Sequence, residues 1–175
     1  MFTVLATTLL MVSDLSLDNR IEPWLIVNDG VMGGVSSGRL ERDGETLVFS
    51  GELSLENNGG FASIRRSVEA VPSAADAVQI EVRGDGRRYQ FRLRTDSNFD
   101  GVAWVSEFDT SPEWQTVTLD LSGFEPRFRG RRLGGQGGLD ASLIRQAGFL
   151  LADKREGPFR LEFRAIRFTS RTPSE

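Results

Sequence analysis

The chain has 175 residues, of which 39% are hydrophobic, and carries 21 basic against 25 acidic side chains with neither His nor Cys. The missing Cys excludes disulfides, a thiolate nucleophile and Cys-ligated zinc, and the missing His excludes a Ser-His-Asp triad and a histidine metal site. A formal net charge of −4 argues against binding of a nucleic-acid backbone. We therefore expect a protein without a cofactor that recognises a partner rather than catalysing a reaction.

Residues 1–12 form an apolar segment that we interpret as a first strand. The alternative is an export signal, but no basic residue precedes the segment and no A-x-A cleavage site follows it before Asp14. The first basic residue is Arg20, which argues against an Arg-rich transit peptide. No apolar run approaches the roughly 18–20 residues of a membrane helix. We expect a cytoplasmic protein, with export as the alternative.

Period-two alternation of apolar and polar residues dominates the chain and predicts β-strands. The Gly-Asp-Gly sequence at residues 84–86 predicts a tight hairpin between its flanking strands. The apolar phase of the last strand changes near Ala165, which predicts a bulge there. The predicted strands cover residues 47–55, 78–83, 88–94, 102–108, 114–121, 147–152 and 159–168.

Two segments interrupt this pattern. Residues 123–138 are rich in Gly and Arg and are expected to be irregular, and Asp140 is expected to cap one helical turn over residues 140–145. Nine or ten strands with short Gly-rich turns, and neither a repeat nor a linker, indicate an all-β fold. We predict an antiparallel β-sandwich or jelly roll that forms one domain over residues 1–175.

Two Gly-rich segments are candidate ligand loops. Residues 28–36 hold three Gly within five positions, and residues 56–63 contain Asn-Asn-Gly-Gly. Both fit structured turns of a sandwich, and both also fit a binding loop at its rim. The backbone and Asn oxygens of residues 56–63 would suit calcium, although no EF-hand spacing is present. The candidate binding residues in these loops are Asn28, Asp29, Asn57 and Asn58.

Arginines supply two further groups of candidates. The polar face of the predicted hairpin either pairs Glu with Arg across the strands or forms a groove for a carboxylate or a sugar. The basic cluster at residues 127–132 fits a solvated loop or a contact with a partner protein. The candidate binding residues in these groups are Arg83, Asp85, Arg92, Arg94, Arg129 and Arg131.

Five blocks of sequence together resemble the complex I intermediate-associated protein 30 family. They occur in the order that this family shows and extend over residues 24–168. The blocks are WLIVNDGVMGGVSSG from Trp24, FSGELSLENNGGFAS from Phe49, RGDGRRYQFRLR from Arg83, FEPRFRGR from Phe124 and GFLLADKREGPFRLEF from Gly148.

The resemblance implies a galactose-binding-type β-sandwich without established catalytic residues. It implies a role like that of the mitochondrial members, which are assembly chaperones for respiratory complex I. With neither a transit peptide nor a nucleotide-binding domain, the chain looks like a free-standing prokaryotic member. The loops that the family shares add Asp153 and Lys154 to the candidate binding residues.

The leading hypothesis is a non-catalytic protein-interaction module that aids assembly of an electron-transport complex. Its partners would be protein subunits of a respiratory or similar complex, with no nucleic acid and with membrane association only through those partners. The alternative is a carbohydrate-binding module that stacks sugar rings on Tyr89, Trp104 or Trp114, although each ring also fits the core. A glycosidase, which needs two facing carboxylates, is the third hypothesis.

Overall fold

The computed structural model describes residues 15–16 and 20–170, and the strand predicted over residues 1–12 lies outside them. The described residues form thirteen strands and four 3-10 helices. The strands are β1 Leu15–Ser16, β2 Trp24–Asn28, β3 Ser37–Asp43, β4 Thr46–Leu53, β5 Ala62–Ser67, β6 Ala77–Gly84, β7 Arg88–Arg94, β8 Ala103–Asp109, β9 Gln115–Asp120, β10 Glu125–Phe128, β11 Arg131–Arg132, β12 Gln146–Leu151 and β13 Gly157–Thr169. The 3-10 helices are Asp29–Met32, Glu56–Asn58, Leu121–Gly123 and Ala141–Leu143.

The strands form two sheets, which confirms the predicted antiparallel sandwich. The six-stranded sheet has the order β3-β4-β13-β6-β9, and β1 also pairs with β13. The seven-stranded sheet has the order β11-β10-β8-β7-β12-β5-β2. All the strand pairs described are antiparallel.

The core lies between the sheets and follows from the period-two pattern, because alternate side chains of each strand point to the same face. Tyr89, Phe91 and Leu93 of β7 are completely buried in this way. Phe149 of β12 lies among other aromatic rings, with its ring centroid 5.1 Å from that of Phe91 and 4.7 Å from that of Phe163. The aromatic side chains of both sheets therefore pack into one cluster.

The bulge predicted near Ala165 is confirmed. The pairing register of β13 with β6 shifts between Phe163 and Ala165, so Arg164 has no partner residue in β6. An extra residue of this kind moves the side chains that follow it to the opposite phase. Phe163 and Ile166 therefore both reach the core.

The hairpin predicted at residues 84–86 is wrong. Strand β6 pairs with β9 and β13, whereas β7 pairs with β8 and β12 in the other sheet, so the Gly-Asp-Gly segment crosses the edge of the sandwich. Gly84 N donates a hydrogen bond to Ser111 O at 2.7 Å, and Gly86 N donates to Thr110 Oγ1 at 3.2 Å. These bonds to the segment that follows β8 replace the bonds that a hairpin would make. Arg83 and the arginines of β7 consequently lie on opposite outer faces.

The segment over residues 123–138 is more regular than expected. Strands β10 and β11 pair through Arg127 with Arg132 and Phe128 with Arg131. The two residues between them, Arg129 and Gly130, have φ values of 47° and 80°. Positive φ at both central positions is the mark of a two-residue hairpin turn that matches the twist of its strands. The prediction of an irregular segment is therefore wrong for residues 125–132.

The predicted turn at residues 140–145 is present as the 3-10 helix Ala141–Leu143. Asp140 precedes it, and its Oδ1 accepts a hydrogen bond from Ser142 N at 2.9 Å. This side chain satisfies one of the backbone donors that the start of a helix leaves free. The capping role predicted for Asp140 is confirmed.

Replacement of Gly84 by Ala is expected to lower the free energy of unfolding by about 1–3 kcal/mol. An added Cβ atom would lie 2.8 Å from Cβ of Thr110, which is buried and donates from Oγ1 to Arg87 O at 2.7 Å. The crossing between the sheets would have to shift. Urea denaturation measures the loss, and Gly123→Ala, where an added Cβ meets no atom within 4 Å, is the control. Equal stability of the two variants would contradict the prediction.

Candidate binding site

A buried carboxylate joins the two Gly-rich loops at one end of the sandwich. Asp29 is 0% exposed and accepts hydrogen bonds from Ser36 N at 2.9 Å, Ser36 Oγ at 2.6 Å and Gly60 N at 2.6 Å. Burial raises the pKa of Asp29, but the hydrogen bonds outweigh this effect and hold the pKa below its usual range. Both carboxylate oxygens already have donors from the chain itself. The geometry therefore gives Asp29 a structural role.

The asparagines of these loops are placed differently from Asp29. Asn57 and Asn58 are exposed, with φ values of 56° and 57°, and Asn57 Nδ2 donates to Gly33 O at 3.2 Å. Asn28 is half-buried, and its Oδ1 is buried without a hydrogen-bond partner in the described part of the chain. Within residues 15–16 and 20–170, no group of three or more acidic side chains could hold a metal ion.

A buried ion pair joins the predicted residue Asp153 to Arg87, which was not predicted. Arg87 is 6% exposed, and its Nε and Nη2 donate to the two oxygens of Asp153 at 2.8 and 2.6 Å. Asp85, the other predicted residue, accepts from Tyr89 Oη at 3.1 Å and from Arg160 N at 2.7 Å. Arg87 has the same strand phase as Tyr89. An arginine at a buried position of a strand pattern indicates a buried ion pair, and this was the available signal.

On the outer face of the six-stranded sheet, arginines are paired with acids. Arg83 donates to both oxygens of Glu162 at 2.8 and 3.1 Å, and Arg164 bonds to Glu81. The guanidinium carbons of Arg83 and Arg164 lie 4.9 and 4.1 Å from the ring centroid of Trp114, which is the geometry of a cation–π contact. The positive charges of this face are compensated within the chain.

The remaining predicted residues lie on exposed turns. Arg129 occupies the turn between β10 and β11 and donates to Asp100 Oδ2 at 2.7 Å. Arg131 in β11 and Lys154 in the turn before β13 are exposed. Because Asp100 belongs to the loop between β7 and β8, Arg129 meets the same loop that Arg94 contacts from the sheet.

Three arginines on the outer face of the seven-stranded sheet surround a small cavity. Arg92 of β7 and Arg65 of β5 are each opposite Gly148, which lies on the intervening strand β12. Arg94 lies two residues beyond Arg92 on the same face. Gly148 allows β12 to approach β5 closely, since an added Cβ would lie 2.2 Å from the backbone oxygen of Ile64. A cavity of about 30 Å³ lies among the surrounding side chains. We call this feature, formed by Arg65, Arg92 and Arg94 around Gly148, the arginine pocket.

The arginine pocket contains a cluster of incompletely compensated charges. Within the described residues, no carboxylate oxygen lies within 4.0 Å of the guanidinium nitrogens of its three arginines. Burial, reinforced by the charges of Arg94, Arg127 and Arg65, lowers the pKa of Arg92 to about 10. Burial also lowers the pKa values of Arg94 and Arg65, partly offset by nearby carboxylates. All three remain protonated at neutral pH.

The arginine pocket unites two predicted residues, Arg92 and Arg94, with Arg65, which the sequence analysis did not single out. Residue 65 lies on the polar phase of β5, but β5 was not predicted as a strand. The signal was the alternation of Ala62 and Ile64 with polar residues. The juxtaposition itself depends on strands distant in the sequence.

Two of the three rings proposed for sugar stacking are buried. Tyr89 and Trp104 are 0% and 7% exposed and belong to the core. Trp114 is half-buried, and its ring contacts the two arginines described above. The exposed ring nearest the arginine pocket is Phe99, which is 58% exposed, and the guanidinium carbon of Arg65 lies 4.5 Å from its centroid.

These sheets define a β-sandwich of the class found in carbohydrate-binding modules. The family 11 carbohydrate-binding module of a cellulosomal cellulase of Clostridium thermocellum superimposes with a TM-score of 0.70 at 17% identity, over 91% of this chain and 96% of the module. A structure of the family 11 module from the same organism, in complex with a β-1,3-1,4-mixed-linked tetrasaccharide, gives a TM-score of 0.66 at 17% identity, over 90% and 96%. Among the described residues, no helix is long and apolar enough to cross a membrane.

The chain belongs to the complex I intermediate-associated protein 30 family, whose family model matches residues 13–163. It is 26% identical over 168 residues to the mitochondrial complex I intermediate-associated protein 30 of Mus musculus, covering 81% of this chain and 50% of that protein. The Drosophila melanogaster protein of the same name is 26% identical over 178 residues, covering 87% and 60%. The chain therefore spans half to three-fifths of the length of these relatives. The predicted family is confirmed.

Proposed function

We propose that this chain is a non-catalytic protein-interaction domain that aids the assembly of an electron-transport complex. The observation that carries the proposal is the arginine pocket, a cluster of positive charges without a carboxylate partner in the described chain. Such a cluster suits a negatively charged group of a partner. Membership of the complex I intermediate-associated protein 30 family supports a respiratory complex as the assembly concerned.

The contrast between the two outer faces supports this assignment. On the six-stranded sheet, Arg83, Arg160 and Arg164 all form ion pairs with glutamates of the same face. Charges that are already paired within the chain have fewer donors left for a partner. On the seven-stranded sheet, Arg88 and Arg127 form ion pairs with Glu107, but the three arginines of the arginine pocket do not. These three retain donors for a partner, so this face is the proposed interface.

The proposal that the domain is non-catalytic rests on the chemistry present. The sequence has neither His nor Cys, and the lining of the arginine pocket includes no carboxylate. The acids on neighbouring strands, Glu107 and Glu125, form ion pairs with Arg127. Two facing carboxylates, the requirement of most glycosidases, do not occur in the pocket lining.

Cross-linking in the native host tests the proposed function. We expect a tagged form of the chain to recover subunits of an electron-transport complex, and we expect deletion of its gene to reduce the assembled complex on native gels. The family 11 carbohydrate-binding module carrying the same tag is the control, because it shares the fold at 17% identity. Recovery of the same proteins by the control, or no such subunit with the chain, would contradict the proposal.

Carbohydrate binding is the second candidate function, favoured by the fold and by the exposed ring of Phe99 beside the arginine pocket. Titration calorimetry against the β-1,3-1,4-mixed-linked tetrasaccharide separates carbohydrate binding from the proposed assembly function. From the assembly function we expect no saturable heat of binding. Saturable binding that is lost in Phe99→Ala would replace the assembly proposal with the carbohydrate one, because an aromatic platform is the usual basis of sugar recognition.

A further inference from the structure

The arginine pocket has the dimensions of a site for one small charged group. Neighbouring strands lie about 4.8 Å apart, so the backbones of Arg65 and Arg92 are about 10 Å apart with Gly148 between them. A volume of about 30 Å³ accommodates one or two water molecules. The space therefore fits the oxygens of a single anionic group.

The pocket arginines keep most of their hydrogen-bond donors free of partners in the described chain. Arg92 Nε donates to Gln90 Oε1 at 3.0 Å, and Arg94 Nη1 donates to Gly101 O at 3.0 Å. Arg65 contacts the ring of Phe99, with its guanidinium carbon 4.5 Å from the ring centroid. Each guanidinium has five donors, and the acceptors already present are neutral. An incoming anion would find several convergent donors.

One wall of the pocket is held in place by Gln146. This residue is buried and lies opposite Arg94 on β12. Its Nε2 donates to Asp96 O at 2.9 Å and to Asn98 O at 3.0 Å, which anchors the loop between β7 and β8 to the sheet. The pocket is therefore formed before any ligand arrives, and preorganisation of this kind reduces the entropic cost of binding.

The surroundings favour a carboxylate over a polyanion. The carboxylates of Asp96 and Asp100 act electrostatically on Arg94 and would repel a second negative charge. Leu25, 50% exposed, lies opposite Arg65 on the edge strand β2, and Phe99 is exposed beside the same arginine. The pocket is thus bordered by apolar side chains, which suits an acidic residue flanked by apolar ones.

We propose that the arginine pocket is a carboxylate-binding site that receives an Asp or Glu side chain of the protein partner. This inference rests on the proposed function and adds the chemistry of recognition to it. The carboxylate oxygens accept hydrogen bonds from Arg92 and Arg94, while Arg65 supplies the third positive charge. Charge-assisted hydrogen bonds of this type are stronger than neutral ones.

Nuclear magnetic resonance of the arginine Nε–Hε groups tests the pocket directly. Sodium acetate is titrated against sodium chloride at constant ionic strength. We expect saturable shifts confined to the three pocket arginines, with a Kd on the order of 1–10 mM, because so small a ligand has few contacting atoms. Shifts that do not saturate, that occur equally with chloride, or that saturate more tightly with inorganic phosphate would overturn the carboxylate assignment.

Arg92→Gln provides the matched variant. Because it removes a half-buried charge among like charges, the variant should keep its fold, which circular dichroism verifies. We expect acetate binding to weaken at least tenfold in Arg92→Gln and to stay unchanged in Arg131→Gln, whose arginine is exposed on β11. Arg94→Gln gives a second test of the same loss. Unchanged acetate binding in both pocket variants would overturn the proposal.

Repeating the host cross-linking with Arg92→Gln separates the two proposals. Partner recovery at the level of the unsubstituted chain would overturn the pocket as the recognition site and leave the assembly function intact. The reverse outcome is acetate binding that depends on Arg92 while the unsubstituted chain recovers no electron-transport subunit. This result would support the carboxylate-binding site and overturn the proposal that the partner is a subunit of an electron-transport complex.

Discussion

Replacement of Arg87 by methionine is expected to lower the free energy of unfolding by about 3–5 kcal/mol. Arg87 is buried and makes two charge-assisted bonds to Asp153. It also bonds to the backbone carbonyls of Arg155, Gly157 and Pro158. Removal of the guanidinium leaves a largely buried carboxylate and these carbonyls without their donor. Urea denaturation followed by tryptophan fluorescence measures the difference in unfolding free energy.

The control for this prediction is Arg131→Met, which removes an exposed arginine and should change stability by no more than about 0.5 kcal/mol.

The pH dependence of stability supplies a second criterion. Burial raises the pKa of Asp153, but the bond to Arg87 outweighs it and the pKa is lowered. Its contribution is therefore complete above the unfolded pKa of about 3.9 and is lost as the pH falls through the lower folded value. If Arg87→Met lowers the free energy of unfolding by less than about 1 kcal/mol at pH 7, a structural role for the Arg87–Asp153 pair is contradicted.

Replacement of Asp29 by alanine is expected to cost about 3–5 kcal/mol, because each buried donor left without an acceptor costs about 1–3 kcal/mol. The carboxylate accepts hydrogen bonds from the backbone and hydroxyl of Ser36 and from the backbone of Gly60 and Phe61. Without it, the two Gly-rich loops lose their common acceptor. Thermal and urea denaturation measure the loss, and hydrogen exchange at Gly60 N reports whether the loops separate.

Asp29→Asn is the informative companion variant, because it retains one acceptor oxygen while removing the charge. Asp29→Asn should lower the free energy of unfolding less than Asp29→Ala does. The control is Glu113→Ala on an exposed turn, which should change stability little. The lowered pKa of Asp29 means that its stabilisation is complete above about pH 4 and is lost as the pH falls through the folded pKa. Stability of Asp29→Asn should therefore vary less with pH in that acidic range. An Asp29→Ala variant as stable as Glu113→Ala would contradict the role of Asp29 as the common acceptor of the two Gly-rich loops.

The misassigned hairpin at residues 84–86 shows where local sequence information ends. Gly-Asp-Gly correctly indicated a sharp change of direction, and Gly86 has a φ of 85°. A turn of this kind can return a strand to its own sheet or carry it to the facing sheet. Both outcomes bury the same apolar side chains of β6 and β7 in the same core, so the alternation of residues does not distinguish them.

For a related reason, the sequence does not show which candidate binding residues have partners within the chain and which do not. The alternation of residues correctly predicts a polar face for Arg92 and Arg94, but it does not distinguish them from Arg83, which is paired with Glu162. Nor did it indicate that Asp29 was buried, because an Asp in a Gly-rich loop fits a ligand as well as a backbone acceptor. Whether a charge has a partner depends on residues far away in the chain.

The sequence alone determined the all-β class, the bulge of β13 and the family, because alternation, phase changes and blocks that resemble a family are local properties of the chain. The tertiary structure decided which strands share a sheet and which arginines lack a partner. Arg65, Arg92 and Gly148 come from β5, β7 and β12, and only the strand order β7-β12-β5 places them together. The pocket exists because this strand order brings the two arginines to one face, and because glycine at position 148 allows the backbones of β12 and β5 to approach closely between them.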